Sequence, residues 1–166
     1  MTMAVEFAQQ SAALAEQLSR RNQLLATAES CTGGWLAKVC TDRAGSSGWF
    51  DRGFVPYSNA AKQELLGVAA ETLQRHGAVS RETVLEMVAG VLARSHAHWA
   101  LAISGIAGPG GGSAQKPVGT VWFGWAGPGG WQLARKAQFE GDRDAVRQQA
   151  VATALQVLLQ RLDELV

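Results

Sequence analysis

Helical and strand-like periodicities alternate along this chain. From Val5 to Arg20, the residues Val5, Ala8, Ala12, Ala15 and Leu18 recur near helical spacing, which predicts an amphipathic helix lying on one face of a sheet. Asn22 interrupts it, and the apolar run from Gln23 to Ala28 predicts the first core strand. A helix over Thr32 to Thr41 follows and gives way to the polar loop Asp42 to Gly48. Trp49 to Tyr57 is rich in aromatic and β-branched residues and predicts a strand. Ser58 or Asn59 is placed to cap a short helix, Ala60 to Leu66, that Gly67 stops. Glu71 to His76 forms a further short helix, and Ser80 opens a longer one, Arg81 to Ser95, with Val84, Met87, Val88 and Val91 inward. Trp99 to Ile103 is nearly all apolar, the pattern of a strand covered on both faces. After a glycine-rich loop, Val118 to Ala126 and Trp131 to Phe139 flank Gly127-Pro128-Gly129-Gly130 as an antiparallel hairpin. Asp142 then caps a last helix to about Leu165. Strands alternating with helices, then a hairpin, predict an α/β fold: a single three-layer α/β/α domain with a mixed sheet spanning residues 1–166.

Composition narrows the partners more than the fold. The 166 residues are 47% hydrophobic and 17% charged, enough apolar surface for one sizeable core. The net charge is +1, with Lys and Arg scattered, so no nucleic acid partner is expected. Cys31 and Cys40 form neither a CxxC nor a Cys/His ligand pattern, so no metal, cofactor or disulfide framework is expected. A reducing, cytoplasmic setting fits that cysteine usage. No basic leader precedes an apolar core and no apolar run spans a bilayer, so no membrane partner is expected. Apolar residues on the outer faces of helices predict a homo-oligomer.

The candidate chemistry concentrates in Ala28-Glu29-Ser30-Cys31-Thr32-Gly33-Gly34-Trp35, a strand running through a polar turn into a helix N-terminus. Such a turn gathers unpaired N–H groups, and the helix dipole favours negative charge there. Gly33 and Gly34 let the backbone approach a ligand, and the N–H groups around them are placed to stabilise an oxyanion. Ser30 and Cys31 are rival nucleophiles. A thiol needs a base, and His76, His96 and His98 stand at helix ends or strand leads, outside any motif. Alternation at a strand end turns the two side chains apart, so a Ser30 facing a pocket leaves Cys31 facing the core. Lys62 falls in the first turns of a helix, where dipole and desolvation together lower an amine's pKa and suit it to general-base work. Tyr57 ends the preceding strand. Four residues separate it from Lys62, which excludes a Tyr-x-x-x-Lys dehydrogenase pair, and no Gly-x-Gly-x-x-Gly follows the first strand.

Two further segments are open to more than one reading. The loop Ser104 to Ser113 has the glycine content of a phosphate cradle but lacks the Lys-Ser/Thr ending of a Walker motif, which excludes ATP hydrolysis. It is either a nest of N–H groups for a phosphate or carboxamide, or a plain loop. Arg143, beside Asp142 and Asp144 at a helix start, is either an anion site or a cation balanced by its neighbours.

Four motifs in order, Ala28 to Gly34, Tyr57-Ser58-Asn59 with Lys62, Ser104-Gly105-Ile106-Ala107-Gly108-Pro109, and Lys116-Pro117-Val118-Gly119-Thr120-Val121, resemble the CinA C-terminal domain family of nicotinamide-nucleotide amidohydrolases. The likeness runs from about Gln10 to Leu158. It implies metal-independent hydrolysis of the carboxamide of nicotinamide mononucleotide by a Ser/Lys amidase, giving nicotinate mononucleotide and ammonia. By resemblance, Ser30 is the nucleophile and Lys62 the base, with Tyr57 assisting. Thr32, Gly33, Gly34, Ser46, Ser47, Ser104, Gly105 and Arg143 are implied at the substrate, with Arg147, one turn beyond Arg143, as the alternative arginine. Pro56 departs from the family pattern. The chain begins at its first helix and so resembles the stand-alone form of the family, without the extra N-terminal domain of its longer members. Against this stand a non-catalytic nucleotide-binding module and a hydrolase working through Cys31.

Overall fold

Size rather than spacing alone decides how the first helix lies. The computed structural model describes residues 1–165. Helix α1, Met3–Arg21, is capped by the Thr2 hydroxyl, which accepts from the Val5 N–H, and is closed by Asn22 in the left-handed region. It buries Phe7, Gln10, Ser11, Leu14 and Leu18, while Val5 is 46% exposed. The stripe expected through Val5, Ala8, Ala12 and Ala15 is therefore displaced. Phe7 and Leu14 remove far more apolar surface from water than alanines can, and their direction sets the helix rotation.

The five strands are β1 (Leu25–Glu29), β2 (Phe50–Phe54), β3 (Trp99–Gly105), β4 (Thr120–Gly127) and β5 (Trp131–Gln138). They form one sheet in the order β2-β1-β3-β4-β5. β1 pairs in parallel with both β2 and β3, whereas β4 and β5 run antiparallel, so the sheet is mixed as the sequence predicts. The remaining helices are α2 (Trp35–Thr41), α3 (Asn59–Leu66), α4 (Ala70–His76), α5 (Arg81–Ala93) and α6 (Arg143–Glu164). Alternation along the strands divides the core into two layers. Leu25, Leu101, Ile103, Val121, Phe123 and Trp125 face α1, α2 and α6. Ala26, Ala28, Ala100, Ala102 and Ala126 face α3, α4 and α5. The alanine face lets α5 come close: a Cβ on Gly124 of β4 would lie 2.7 Å from the Val84 carbonyl oxygen.

Two boundaries differ from the sequence reading, and both shape the cleft. β2 stops at Phe54 rather than Tyr57. Pro56 has no N–H to give a ladder, and its fixed φ suits the centre of a tight turn that the Tyr57 N–H closes onto the Val55 carbonyl at 2.9 Å. Helix α2 begins at Trp35 rather than Thr32, because Gly33 and Gly34 adopt φ of +60° and +106° and extend the turn. The carboxyl ends of β1, β2 and β3 thereby open on the same edge of the sheet, the side on which open α/β sheets bind ligands. Among the described residues, no helix is long and apolar enough to cross a membrane.

Gly90 of α5 is the tightest helix contact, because an added Cβ would overlap the Leu66 carbonyl oxygen. Alanine's helix propensity would stabilise the segment by about 1 kcal/mol, but overpacking against backbone costs about 1–3 kcal/mol. Gly90→Ala is therefore expected to lower the thermal midpoint by several degrees. A midpoint equal to or above that of the unsubstituted protein would show that α3 can move away at no cost.

Candidate active site

Ser30 is the first residue beyond β1, and its main chain is held on both sides. Its N–H donates to the Ile103 carbonyl at 2.9 Å, and its carbonyl accepts from the Gly33 N–H at 3.1 Å. Across the cleft the Ser58 hydroxyl accepts from the Ala61 N–H at 3.0 Å and so caps α3. That cap sets Lys62 in the first turns of the helix, with its side chain only 1% exposed. Lys62 Nζ lies 3.2 Å from Ser30 Oγ and 3.1 Å from the Tyr57 carbonyl oxygen, which is itself 3.3 Å from Ser30 Oγ. No carboxylate is paired with this amine among the described residues. Burial lowers the pKa of the Lys62 ammonium from the usual lysine range. A neutral amine here donates one N–H to Tyr57 and has its lone pair available for the Ser30 proton.

Tyr57 thus meets the dyad through its backbone. Its ring is 57% exposed, and its phenol oxygen stands 3.4 Å from Arg143 Nη2, while Arg143 Nη1 donates to the Gly108 carbonyl at 2.8 Å. Ser104 is buried at the floor, its hydroxyl donating to the Ala78 carbonyl at 2.8 Å. Ser30, Lys62, Tyr57, Ser104, Gly105 and Arg143 line one cleft of about 210 Å3. Asn59, Ala78, Val79, Ala107 and Cys31 complete it. Asn59 could have been read from its place beside the Ser58 cap. Ala78 and Val79 carry no chemical signal, since only the path from α4 to α5 brings them there.

Cys31 is 7% exposed, and burial pushes its thiol up to about 11, so it is uncharged at neutral pH with no histidine in the cleft. Glu29 changes the reading of the helix dipole. Its buried carboxylate accepts from Thr32 Oγ1 at 2.8 Å, the Leu36 N–H at 2.7 Å and the Ala37 N–H at 3.0 Å. Burial raises its pKa against those donors. The positive end of α2 is already neutralised from within the chain. The Gly33 N–H is also committed, to the Ser30 carbonyl.

The other residues implied at the substrate lie elsewhere. Thr32, Gly33 and Gly34 line a neighbouring concavity with Trp35, Lys38 and Arg147, and the Thr32 hydroxyl is turned inward to Glu29. Ser46 and Ser47 form part of a 3-10 turn, Ser46–Gly48, leading into β2, and line neither surface. Arg147 does not enter the cleft. Its Nε donates to the Cys31 carbonyl at 3.0 Å and its Nη2 to the Thr32 carbonyl at 3.3 Å. Of the two arginines, Arg143 is the one on the cleft. Among the described residues, no group of three or more metal-ligating side chains stands together.

The model of the CinA C-terminal domain matches residues 8–162. The chain belongs to that family. Nicotinamide-nucleotide amidohydrolase PncC of Escherichia coli is 56% identical over 156 residues, covering 94% of both chains. The protein of the same name from Pseudomonas putida is 52% identical, over 89% of this chain and 91% of its own. Among solved structures, the competence/damage-inducible protein from Agrobacterium tumefaciens superposes with a TM-score of 0.92 at 43% identity, covering 95% of this chain and 96% of that one. The competence damage-inducible protein A from Klebsiella pneumoniae gives a TM-score of 0.91 at 42% identity, over 95% and 97%.

Within the CinA C-terminal fold, Lys62 is a residue held against stability. Its pKa in the folded chain lies below the unfolded value, so between those two values the unfolded chain binds the extra proton and stability rises with pH. Lys62→Met removes that cost. Each kcal/mol recovered shifts the midpoint by about 2–4 °C, so the variant should melt higher at neutral pH and lose the alkaline gain. A variant that melts lower at neutral pH would contradict the desolvated amine.

Proposed function

We propose that this chain is an amidohydrolase that converts nicotinamide mononucleotide to nicotinate mononucleotide and ammonia through Ser30 and Lys62. The observation that carries the reading is a buried lysine within hydrogen-bond distance of a serine hydroxyl and paired with no acid. The names of the amidohydrolase relatives support the substrate class.

In the proposed reaction, neutral Lys62 takes the Ser30 proton as Oγ attacks the carboxamide carbon. The developing oxyanion is met by the N–H of Cys31, which lines the cleft and donates to no backbone acceptor among the described residues. A donor from the residue after the nucleophile is the arrangement common to strand–turn–helix serine sites. Lys62 then gives its proton to the leaving nitrogen, the C–N bond breaks, and ammonia departs from an acyl ester on Ser30. Water, deprotonated by Lys62, attacks that ester, and the returned proton restores the Ser30 hydroxyl. Arg143, at the cleft rim and at the N-terminus of α6, is placed to hold the nucleotide phosphate.

Ammonia release from the mononucleotide, the nucleoside and free nicotinamide tests this. Ser30→Ala and Lys62→Arg should each cut kcat by at least about 10³-fold. kcat/KM should rise with pH along a limb below the ordinary lysine range, as Lys62 loses its proton. Arg143→Ala should raise KM for the mononucleotide about 10-fold and leave kcat within about threefold. Equal activity on all three compounds would remove the phosphate role, and tight binding with no ammonia would leave a nucleotide-binding module instead.

A further inference from the structure

The cleft is basic, yet the ring it must hold in the proposed reaction carries a positive charge. The nicotinamide of the mononucleotide is bonded to ribose through its ring nitrogen, which makes it a pyridinium cation. A cation taken out of water needs compensating negative charge or oriented dipoles. The side chains lining the cleft include the amine of Lys62 and the guanidinium of Arg143 but no carboxylate. Glu29 is spent on Thr32 and α2, Asp142 on the Ala145 N–H and Asp144 on Gln148. Three carbonyl oxygens reached by cleft side chains are engaged as well: that of Tyr57 by Lys62, that of Ala78 by Ser104 and that of Gly108 by Arg143.

One group of the right sign is free, the face of the Tyr57 ring. Tyr57 is the chain's one tyrosine, and it stands on the cleft with 57% of its surface exposed. Its main chain is fixed, with the N–H on the Val55 carbonyl at 2.9 Å and the carbonyl on Lys62 Nζ at 3.1 Å. Its phenol oxygen comes within 3.4 Å of Arg143 Nη2, so the ring reaches from the turn after β2 toward the start of α6, along the cleft rim. Arg143 meets that ring at its hydroxyl edge and is stacked on neither face. Among the described residues, Tyr57 enters none of the ring–ring or cation–ring contacts that hold other aromatics, such as Phe123 on Trp125 or Arg161 over Trp131. The negative face of a tyrosine ring attracts a quaternary nitrogen, and a flat pyridinium can also stack on it.

We propose that the Tyr57 ring is the platform on which the substrate's pyridinium lies, so that ring charge is read as part of specificity. This rests on the amidohydrolase reading and deepens it by naming the group that recognises the cation. The arrangement separates the two charges of the nucleotide: the phosphate goes to Arg143, and the pyridinium to the ring that Arg143 touches at its edge. Tyr57 then serves through both of its parts, the carbonyl on Lys62 and the ring on the substrate. The carboxamide, borne two bonds from the charged nitrogen, is left to Ser30.

The test takes the charge of the ring as its variable. Nicotinamide mononucleotide and its 1,4-dihydro form share carboxamide, ribose and phosphate, but the reduced ring is neutral. Their dissociation constants are measured by calorimetry in the Ser30→Ala background, where neither is hydrolysed, with Tyr57 kept or replaced by Phe or Leu. Thermal unfolding is recorded for each variant, since an exposed ring can be replaced without unfolding the chain. Tyr57→Leu should weaken binding of the charged form about 3- to 30-fold and of the dihydro form about twofold or less. Tyr57→Phe keeps the face and should keep most of the preference, because loss of the phenol contact to Arg143 falls on both forms alike. Equal losses for the two forms, or no loss for either, would overturn the proposal. So would a Tyr57→Phe variant that loses the preference as Tyr57→Leu does, or failure of the charged form to bind. Ammonia release by the unsubstituted protein judges the amidohydrolase reading separately. No ammonia, with the charge-dependent loss still seen, upholds the pyridinium platform and removes the hydrolysis. Ammonia with equal losses upholds the hydrolysis and removes the platform.

Discussion

A buried amine without a counter-ion is the constraint around which this site is built. Lys62 is kept from water by the α3 helix that carries it and by the cleft it floors. The acceptors within reach of Nζ are a hydroxyl and a peptide carbonyl, neither of which supports a full positive charge as a carboxylate would. The environment therefore disfavours the charged form, which is what supports the proposed role of Lys62 as base. A carboxylate within reach would favour the charged form and oppose that shift. The buried carboxylate of Glu29 is spent on the Thr32 hydroxyl and the N–H groups of α2.

Everything that fixes this amine comes from the carboxyl ends of three adjacent parallel strands. β1 delivers Ser30, β2 runs through Pro56 into the Tyr57 carbonyl and the Ser58 cap, and β3 ends in Ser104 and Gly105. α6 closes the group by sending Arg143 to the rim and Arg147 to the back of the Ser30 turn. The fold contributes register, and the turn residues contribute direction. This division explains why the alanine face and the close approach of α5 matter to a cleft they do not touch: they set how near α3, and with it Lys62, comes to β1.

Much of the fold was legible in residue order, because strand alternation and helix periodicity are local and the mixed sheet follows from strands, helices and a terminal hairpin. The errors had specific causes. The spacing takes α1's buried stripe through Val5 and three alanines to Leu18, whereas Phe7 and Leu14 decide the rotation; it also carries β2 past Pro56 and starts α2 inside the Gly33-Gly34 turn. At the site, Ser30 and Lys62 could be singled out because a serine at a strand end and a lysine after a capping serine are positional signals. The part played by the Tyr57 carbonyl was invisible, since no residue identity encodes where a peptide oxygen points. The helix dipole reading failed for a related reason: it assumed an empty N-terminus, and Glu29 reaches back from the preceding strand to fill it. Arg147 could be named but not assigned, because adjacent turns of one helix project to the cleft and to the turn behind it.

The central claim is that the Lys62 amine gives up its proton below the ordinary lysine range, and the chain makes that measurable. It contains four lysines, Lys38, Lys62, Lys116 and Lys136. Titrating the protein with 13C-labelled lysine side chains, beside the Lys62→Met variant, resolves each amine by NMR. The account predicts one resonance that titrates below the ordinary lysine range and is missing from the variant. A Lys62 resonance titrating in the ordinary lysine range would contradict it.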